Sequence, residues 1–243
     1  GMTTARAGPA VIRDDLSLMG RIAINGDRYA QVRARFPGPV LSVNANAGDS
    51  VRAGQTLATV ENSETLRTYT VTSPIDGTVL ARHTSGGDVA GGEALFEIAD
   101  LSTLWLDLHA FGDEAGRIVA GLPVHVATAG GQSVSTTIQR VLPLASSASQ
   151  SVVARALLPN PDGKWRPGMA VEASVTAATR EVPVAVDLRA LQRFRDFTVV
   201  FAKVGDTYEV RMLELGDSDR DRVEVLEGIT AGDRFHVIAL PSK

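Results

Sequence analysis

The feature that most constrains this chain is an internal repeat with a spacing of 39 residues. Gly38, Val40 and Leu41 recur as Gly77, Val79 and Leu80, and Gly48-Asp49 recurs as Gly87-Asp88. One residue is then dropped, and Val51, Gly54, Leu57 and Val60 recur at a spacing of 38 as Val89, Gly92, Leu95 and Ile98. Nine positions in register across a single gap describe one small structural unit written twice. Each copy reads as strand, turn, strand and turn, with glycines where the chain must bend. A half of this length cannot bury its own apolar face, so the two halves are expected to close on each other as a sandwich.

The remainder of the chain is punctuated in the same way. Short apolar runs alternate with Gly, Pro, Asn and Asp every eight to twelve residues, which predicts strands. Examples are 40–43, 56–60, 78–81, 104–108, 124–127, 152–158, 170–176, 197–204, 208–215 and 235–239. Leu104, Leu106 and Leu108 share one face of their segment, as do Val182, Val184 and Val186 of theirs. Helical spacing is visible only at 113–120 and at 187–194, where Leu188, Leu191 and Gln192 could share a face. Residues 2–10 are small and polar and are expected to fray. The fold class is mainly β.

Composition narrows the function classes. A net charge of −4 argues against a general nucleic-acid binder, which would show a basic surface. The absence of cysteine removes disulfides, thiolate nucleophiles and thiolate zinc sites. No apolar run approaches the ~20 residues that cross a bilayer. Gly1 ahead of Met2 reads as a cloning remnant, so a native targeting or anchoring segment is expected to lie outside this sequence.

A two-half sandwich with Gly48-Asp49-x-Val51-x-x-Gly54-x-x-Leu57 in its first half, and Pro74-x-x-Gly77-x-Val79 opening its second, resembles the biotinyl/lipoyl fold. Carriers of that fold attach their cofactor to the ε-amine of a lysine at the connection between the halves. Here that connection is Glu61-Asn62-Ser63-Glu64-Thr65-Leu66-Arg67-Thr68, and the first lysine of the chain is Lys164. Arginine does not substitute, because its guanidinium stays protonated. A swinging-arm carrier is excluded, and no cofactor is expected.

The non-carrier users of this sandwich are the periplasmic adaptors, or membrane fusion proteins, and further stretches resemble them in the expected order. Ile98-Ala99-Asp100-Leu101-Ser102-Thr103-Leu104-Trp105-Leu106, Gly121-Leu122-Pro123-Val124-His125-Val126 and the run from Leu158 to Met169 are similar to their β-barrel domain. The run from Phe194 to Phe201, Glu209-Val210-Arg211 and Val223–Ile229 are similar to the membrane-proximal domain of heavy-metal adaptors of the cobalt–zinc–cadmium resistance type. The resemblance implies an elongated, folded-back chain of three small β domains. These are a lipoyl-like barrel-sandwich hybrid at 29–100, a β-barrel from 18–28 and 101–178, and a membrane-proximal β domain from 10–17 and 179–243.

Many adaptors carry a long α-helical hairpin between the sandwich halves. Eight residues cannot form one, since even a single helix would span only about 12 Å. The resemblance therefore implies that contact with a partner falls on the sandwich tip itself, at Ser63, Glu64, Thr65, Leu66 and Arg67. It further implies a non-enzymatic periplasmic subunit at the inner membrane, linking a proton-driven efflux pump of the resistance–nodulation–division type to an outer-membrane channel, as a homo-oligomeric ring. The implied cargo is a divalent heavy-metal cation. The same scaffold would serve a drug-efflux or secretion adaptor, and a stand-alone periplasmic metal-binding accessory protein is the other alternative.

No residue pattern points to catalysis: nucleophile-elbow, zinc-protease, phosphate-loop and dinucleotide motifs are absent from the sequence. Asp217-Ser218-Asp219-Arg220-Asp221 imitates the start of a calcium loop. However, Arg222 stands where glycine is needed and Gly228 where the bidentate glutamate belongs, so a solvated hairpin turn is the better reading. His83, His109, His125 and His236 have no histidine three or four residues away and read as exposed strand residues, without a metal ligand assigned. Met2, Met19, Met169 and Met212 are dispersed and form no soft-metal cluster.

Overall fold

The structure, a computed structural model of the chain, describes residues 3–128, 131–146 and 151–237. These are almost entirely β, with one short α-helix, Gly112–Arg117, and two 3₁₀ turns. The chain divides into two compact units, 18–173 and the pair of segments 1–17 and 174–243. Two long strands, Gly8–Ile24 and Ala170–Asp187, contribute residues to both.

The repeat is the organising element of the larger unit. Its first copy supplies strands Tyr29–Arg33, Gly38–Val43, Ser50–Val51 and Thr56–Glu61, and its second supplies Thr68–Thr72, Gly77–Arg82, Val89–Ala90 and Ala94–Ala99. The copies exchange strands. One sheet runs Tyr29–Arg33, Ala94–Ala99, Gly77–Arg82, Ser50–Val51, and the other runs Thr68–Thr72, Thr56–Glu61, Gly38–Val43, Val89–Ala90. Each sheet therefore contains two strands from each copy, and neither copy can form its sheet alone. Between them lies an apolar core of Val32, Val40, Val51, Leu57, Val60, Val71, Val79, Leu95, Phe96 and Ile98 with small alanines.

A reciprocal set of backbone hydrogen bonds locks the copies together. Gly48 N–H donates to the Val79 carbonyl and Val79 N–H to that of Asp49. At the related place Gly87 N–H donates to Val40 and Val40 N–H to Asp88, all four bonds at 2.8 or 2.9 Å. Both turns have the glycine at positive φ, +95° and +93°. Each is tied by its aspartate, which accepts from the N–H three residues earlier, Asn46 at 2.8 Å and Ser85 at 2.7 Å. This is why Gly-Asp recurs. Gly38 and Gly77 recur for a different reason. A Cβ on Gly38 would overlap the Glu61 carbonyl oxygen, and one on Gly77 would sit 2.5 Å from that of Ala99.

Two details of the repeat differ from the sequence reading. Val32 and Val71 are also related by 39 residues and both are buried, so the repeat starts earlier than Gly38. The gap also falls later. Ser50 and Val51 pair with Thr78 and Gly77, while Val89 and Ala90 pair with Pro39 and Gly38, which makes Ala90 the counterpart of Val51. Val89 points outward and is 77% exposed, whereas Ala90 is buried. A match of residue type misplaced the register because Val89, though apolar, lies on the solvent side of its strand.

The rest of this unit is a barrel-like sheet. Thr103–Phe111 pairs along its whole length with Ser151–Pro159 and, on its other edge, with residues 19–24. Leu104, Leu106 and Leu108 are completely buried, as their alternation requires. On the opposite face Arg155 holds Asp107 through two bonds of 2.7 and 2.8 Å and lies 5.4 Å from the Trp105 ring.

In the smaller unit, Phe197–Val204 is the central strand of a sheet ordered Thr3–Arg6, Arg234–Val237, Phe197–Val204, Gln192–Phe194, with Thr207–Met212 on the far edge of the central strand. Its core is Ala7, Val186, Ala190, Val200, Val223, Val225, Ile229 and Phe235. Several sequence expectations are corrected, in this unit and at one helix of the larger one. Residues 3–6 do not fray: Ala5 pairs with Phe235, and Ala7 is buried. The helix expected at 187–194 is a 3₁₀ turn, Leu188–Ala190, followed by strand Gln192–Phe194. The Asp187 carboxylate accepts from Arg189 N–H at 2.8 Å and closes the turn, and Leu191, Ala190 and Leu188 reach the core without further helix. The helix at 113–120 stops at Arg117, because Ile118 turns in to the core. The strand expected over 208–215 breaks at Leu213 into Thr207–Met212 and Glu214–Ser218. Met2, Ile238 and Ala239 lie outside the described residues.

The close approach at Gly38 yields a direct test. Gly38→Ala is expected to destabilise the chain by about 2–3 kcal/mol, because the carbonyl of Glu61 must be displaced from a paired strand. Gly92→Ala, with nothing within 4 Å of the added carbon, should stay within about 0.5 kcal/mol. Urea denaturation of the two variants beside the parent measures both.

Candidate partner-contact tip

The connection between the two copies begins where strands Thr56–Glu61 and Thr68–Thr72 end, with Glu61 paired to Thr68. It is not a loose loop. Asn62 is buried, and its side-chain oxygen accepts from the N–H of Glu64 at 2.8 Å and of Thr65 at 3.1 Å. Its backbone N–H donates to the Arg67 carbonyl at 2.9 Å, and its carbonyl accepts from Leu66 N–H at 2.8 Å. Asparagine is suited to this role because its short amide caps following N–H groups while its backbone turns. Ser63 N–H donates to the Pro37 carbonyl at 3.0 Å, which ties the tip to the segment entering Gly38–Val43.

This frame leaves Ser63, Glu64, Thr65, Leu66 and Arg67 all exposed. Leu66 stands out: it is 72% exposed and adopts φ +52°. A branched apolar residue in the left-handed region is strained, by about 1 kcal/mol relative to glycine. Neither packing nor backbone preference of this chain explains a leucine there.

Phe36 belongs to the same end of the sandwich, and the sequence reading did not single it out. Its backbone N–H donates to the Tyr69 hydroxyl at 3.1 Å, and that hydroxyl donates back to the Phe36 carbonyl. The two rings meet edge to face at 5.8 Å, with the Arg35 guanidinium 5.6 Å from the Phe36 ring. Phe36 nevertheless remains exposed. In the sequence, a phenylalanine before Pro37-Gly38 looks like a strand edge, and only the cross-copy partner Tyr69 reveals its place.

The histidines are not gathered. His83 contacts Glu97 at 2.9 Å, His125 contacts Ser135 at 3.1 Å, His109 stacks on Phe111, and His236 meets the Tyr208 ring edge. Among the described residues no group of three or more His, Asp or Glu could hold a metal ion. The carboxylate of Asp219 in the calcium-loop imitation is already engaged. It accepts from the N–H groups of Asp221, Arg222 and Arg13 at 2.8–3.2 Å. Burial alone would raise this carboxyl, but those N–H groups hold it below the usual range.

Three family models match in succession: the CzcB-like barrel-sandwich hybrid domain at residues 28–100, the CusB-like β-barrel domain at 103–179, and the CzcB C-terminal circularly permuted SH3-like domain at 184–237. The chain belongs to the membrane fusion proteins, in their CzcB-like branch. Proteins of this family are not enzymes. Among curated relatives, the cobalt-zinc-cadmium resistance protein CzcB of Cupriavidus metallidurans is 25% identical, over 97% of this chain and 59% of its own length. The nickel and cobalt resistance protein CnrB of the same organism is 22% identical, over 76% of this chain and 48% of its own. The chain thus spans about half the length of the curated relatives it matches. Two solved structures share the fold. ZneB from Cupriavidus metallidurans has TM-score 0.59 and 20% identity, with 97% of this chain and 92% of that chain covered. MacA from Actinobacillus actinomycetemcomitans has TM-score 0.62 and 18% identity, covering 96% and 97%. In this membrane fusion protein the eight residues between the sandwich halves form a tight turn, with no α-helical hairpin.

Two measurements follow from the local chemistry. Asn62→Ala removes the acceptor for two N–H groups, so the Glu64 and Thr65 amides should lose hydrogen-exchange protection at a cost of about 1–2 kcal/mol. The Tyr29 hydroxyl, at 2.8 Å, and His83 hold the Glu97 carboxyl below its ordinary value of 4.5. Stability from this group is present above that value and is lost as pH falls through the lower, folded-state value. In Glu97→Gln the urea midpoint should therefore drop less between neutral pH and about pH 3 than in the parent.

Proposed function

We propose that this chain is the periplasmic adaptor subunit of a metal-efflux system. It joins an inner-membrane, proton-driven pump to an outer-membrane channel, lies against the inner membrane, and works as a ring of identical copies. The cargo is a divalent heavy-metal cation, a reading supported by relatives whose names carry cobalt, zinc, cadmium and nickel resistance. The working parts are a barrel-sandwich hybrid at 29–100, a β-barrel from 18–28 and 101–178, and a membrane-proximal domain from 10–17 and 179–243.

The observation that carries the partner assignment is Leu66. An exposed leucine held at positive φ on a hydrogen-bonded turn is locally unfavourable, and the contact of an apolar side chain with another protein gives it a use. Ser63, Glu64, Thr65 and Arg67 form its polar rim, so the sandwich tip meets the next component directly.

Photo-cross-linking from position 64 or 67 in cells is expected to capture an outer-membrane channel subunit. Deletion of the gene should lower tolerance to divalent metals while leaving tolerance to organic compounds unchanged. Leu66→Gly should match or exceed the parent in thermal stability and still lower metal tolerance. Unchanged metal tolerance in both the deletion and Leu66→Gly strains refutes the reading, and a loss confined to organic compounds assigns the scaffold to drug efflux.

A further inference from the structure

The sheet of the smaller unit carries an outward face that its own core does not use. Register defines that face, because residues directly opposite in antiparallel strands project to the same side. Phe194 lies opposite Phe197, Val199 opposite both Gln192 and Met212, Phe201 opposite Val210, and Lys203 opposite Tyr208. The alternate residues of the central strand, Val200 and Ala202, are buried, Val200 in the core and Ala202 opposite the core residue Phe235. The first set therefore faces away from the core. Phe194, Phe197, Val210 and Met212 are 51, 55, 46 and 61% exposed, and Val199 between them along the strand is buried. Four large apolar side chains on one sheet face form a patch of the kind that marks an interaction surface.

We propose that this face docks on an anionic lipid surface. The charges that register places on it are cationic, Lys203 and Arg234 opposite it, while Arg195 and Asp196 share the hairpin turn and offset each other. The acidic residues of these hairpins do not join the face. Asp196 and Asp206 sit in turns, and Glu209 alternates to the side of Ala202, where it pairs with Arg211 at 3.7 Å. A second copy stacked on the same face would oppose like charges. A protein partner would need directional polar groups to fix its register, and among the strand residues of this face Gln192 is the one amide. Phenylalanine, methionine and valine ringed by tyrosine, lysine and arginine instead fit the boundary between acyl chains and anionic headgroups, which demands burial and charge without register. This assignment rests on the reading of 179–243 as a membrane-proximal domain and uses neither the tip nor the cargo, so its failure in the vesicle assay is separate from a failure of the metal-tolerance tests.

The test is co-sedimentation of the 243-residue chain with vesicles of phosphatidylcholine containing one quarter phosphatidylglycerol, beside vesicles of phosphatidylcholine alone. Binding to the anionic vesicles should be about tenfold tighter and weaken as salt rises. Phe194→Ser with Phe197→Ser should lower it about tenfold by removing the inserted rings. Lys203→Glu should lower it about fivefold or more by charge alone. Met212→Ser is the milder variant if the double one fails to fold, as judged by its thermal transition, and Leu66→Ser at the tip should have no effect. Equal binding to both vesicles, no binding, or binding untouched by the Phe, Met212 and Lys203 variants overturns the proposal. So does a concentration-dependent dimer that these variants abolish in the absence of lipid.

Discussion

The four backbone bonds between the Gly-Asp turns and the two central valines are the interaction on which the sandwich depends. Each copy of the repeat offers a turn that grips the other copy's strand, and each receives the same grip in return. The exchange of strands follows from it. Ser50–Val51 can pair only with Gly77–Arg82, and Val89–Ala90 only with Gly38–Val43, because the turns beside them are held there. The core follows in turn, since two sheets assembled in this way bring Val40, Val51, Val71, Val79 and Ile98 face to face. The long sequence separation of these pairings makes closure entropically costly, and burial of the whole apolar set at once offsets that cost.

Most of this sandwich was legible in the sequence because its constraints act on single residue types. A turn at positive φ with a side-chain acceptor selects Gly-Asp, and a strand crossing against a carbonyl selects Gly38 and Gly77. Such positions recur visibly when a unit is duplicated. Where selection acts on burial alone, the signal blurs. Val89 matches Val51 in type but faces solvent, and Ala90, which fills the equivalent place, is inconspicuous. The same weakness explains the helix expected at 187–194: Leu188 and Leu191 have helical spacing, yet one capped turn already delivers them to the core.

The tip was legible in position and not in form. Its length excluded a helical hairpin, and its polar sequence gave no hint that Asn62 organises it or that Phe36 and Tyr69 from different copies brace it. The apolar sheet face was hidden for a related reason. In the run Phe197-Thr198-Val199-Val200-Phe201-Ala202, both faces of the strand are apolar, and alternation cannot say which one the core takes. Only the pairing of Ala202 with Phe235 and of Val199 with Met212 separates inside from outside.

The closed base of the tip has a consequence for how such scaffolds diversify. Because Asn62 and Arg67 are bonded to each other and Ser63 is moored to Pro37, the sandwich beneath is complete before the turn's outer residues are reached. Whatever is spliced between them inherits a ready-made anchor. Lengthening such a segment costs only about 0.6 kcal/mol per doubling of its length. The junction therefore behaves as an insertion port, and reach can change in one genetic step without renegotiating the fold that carries it.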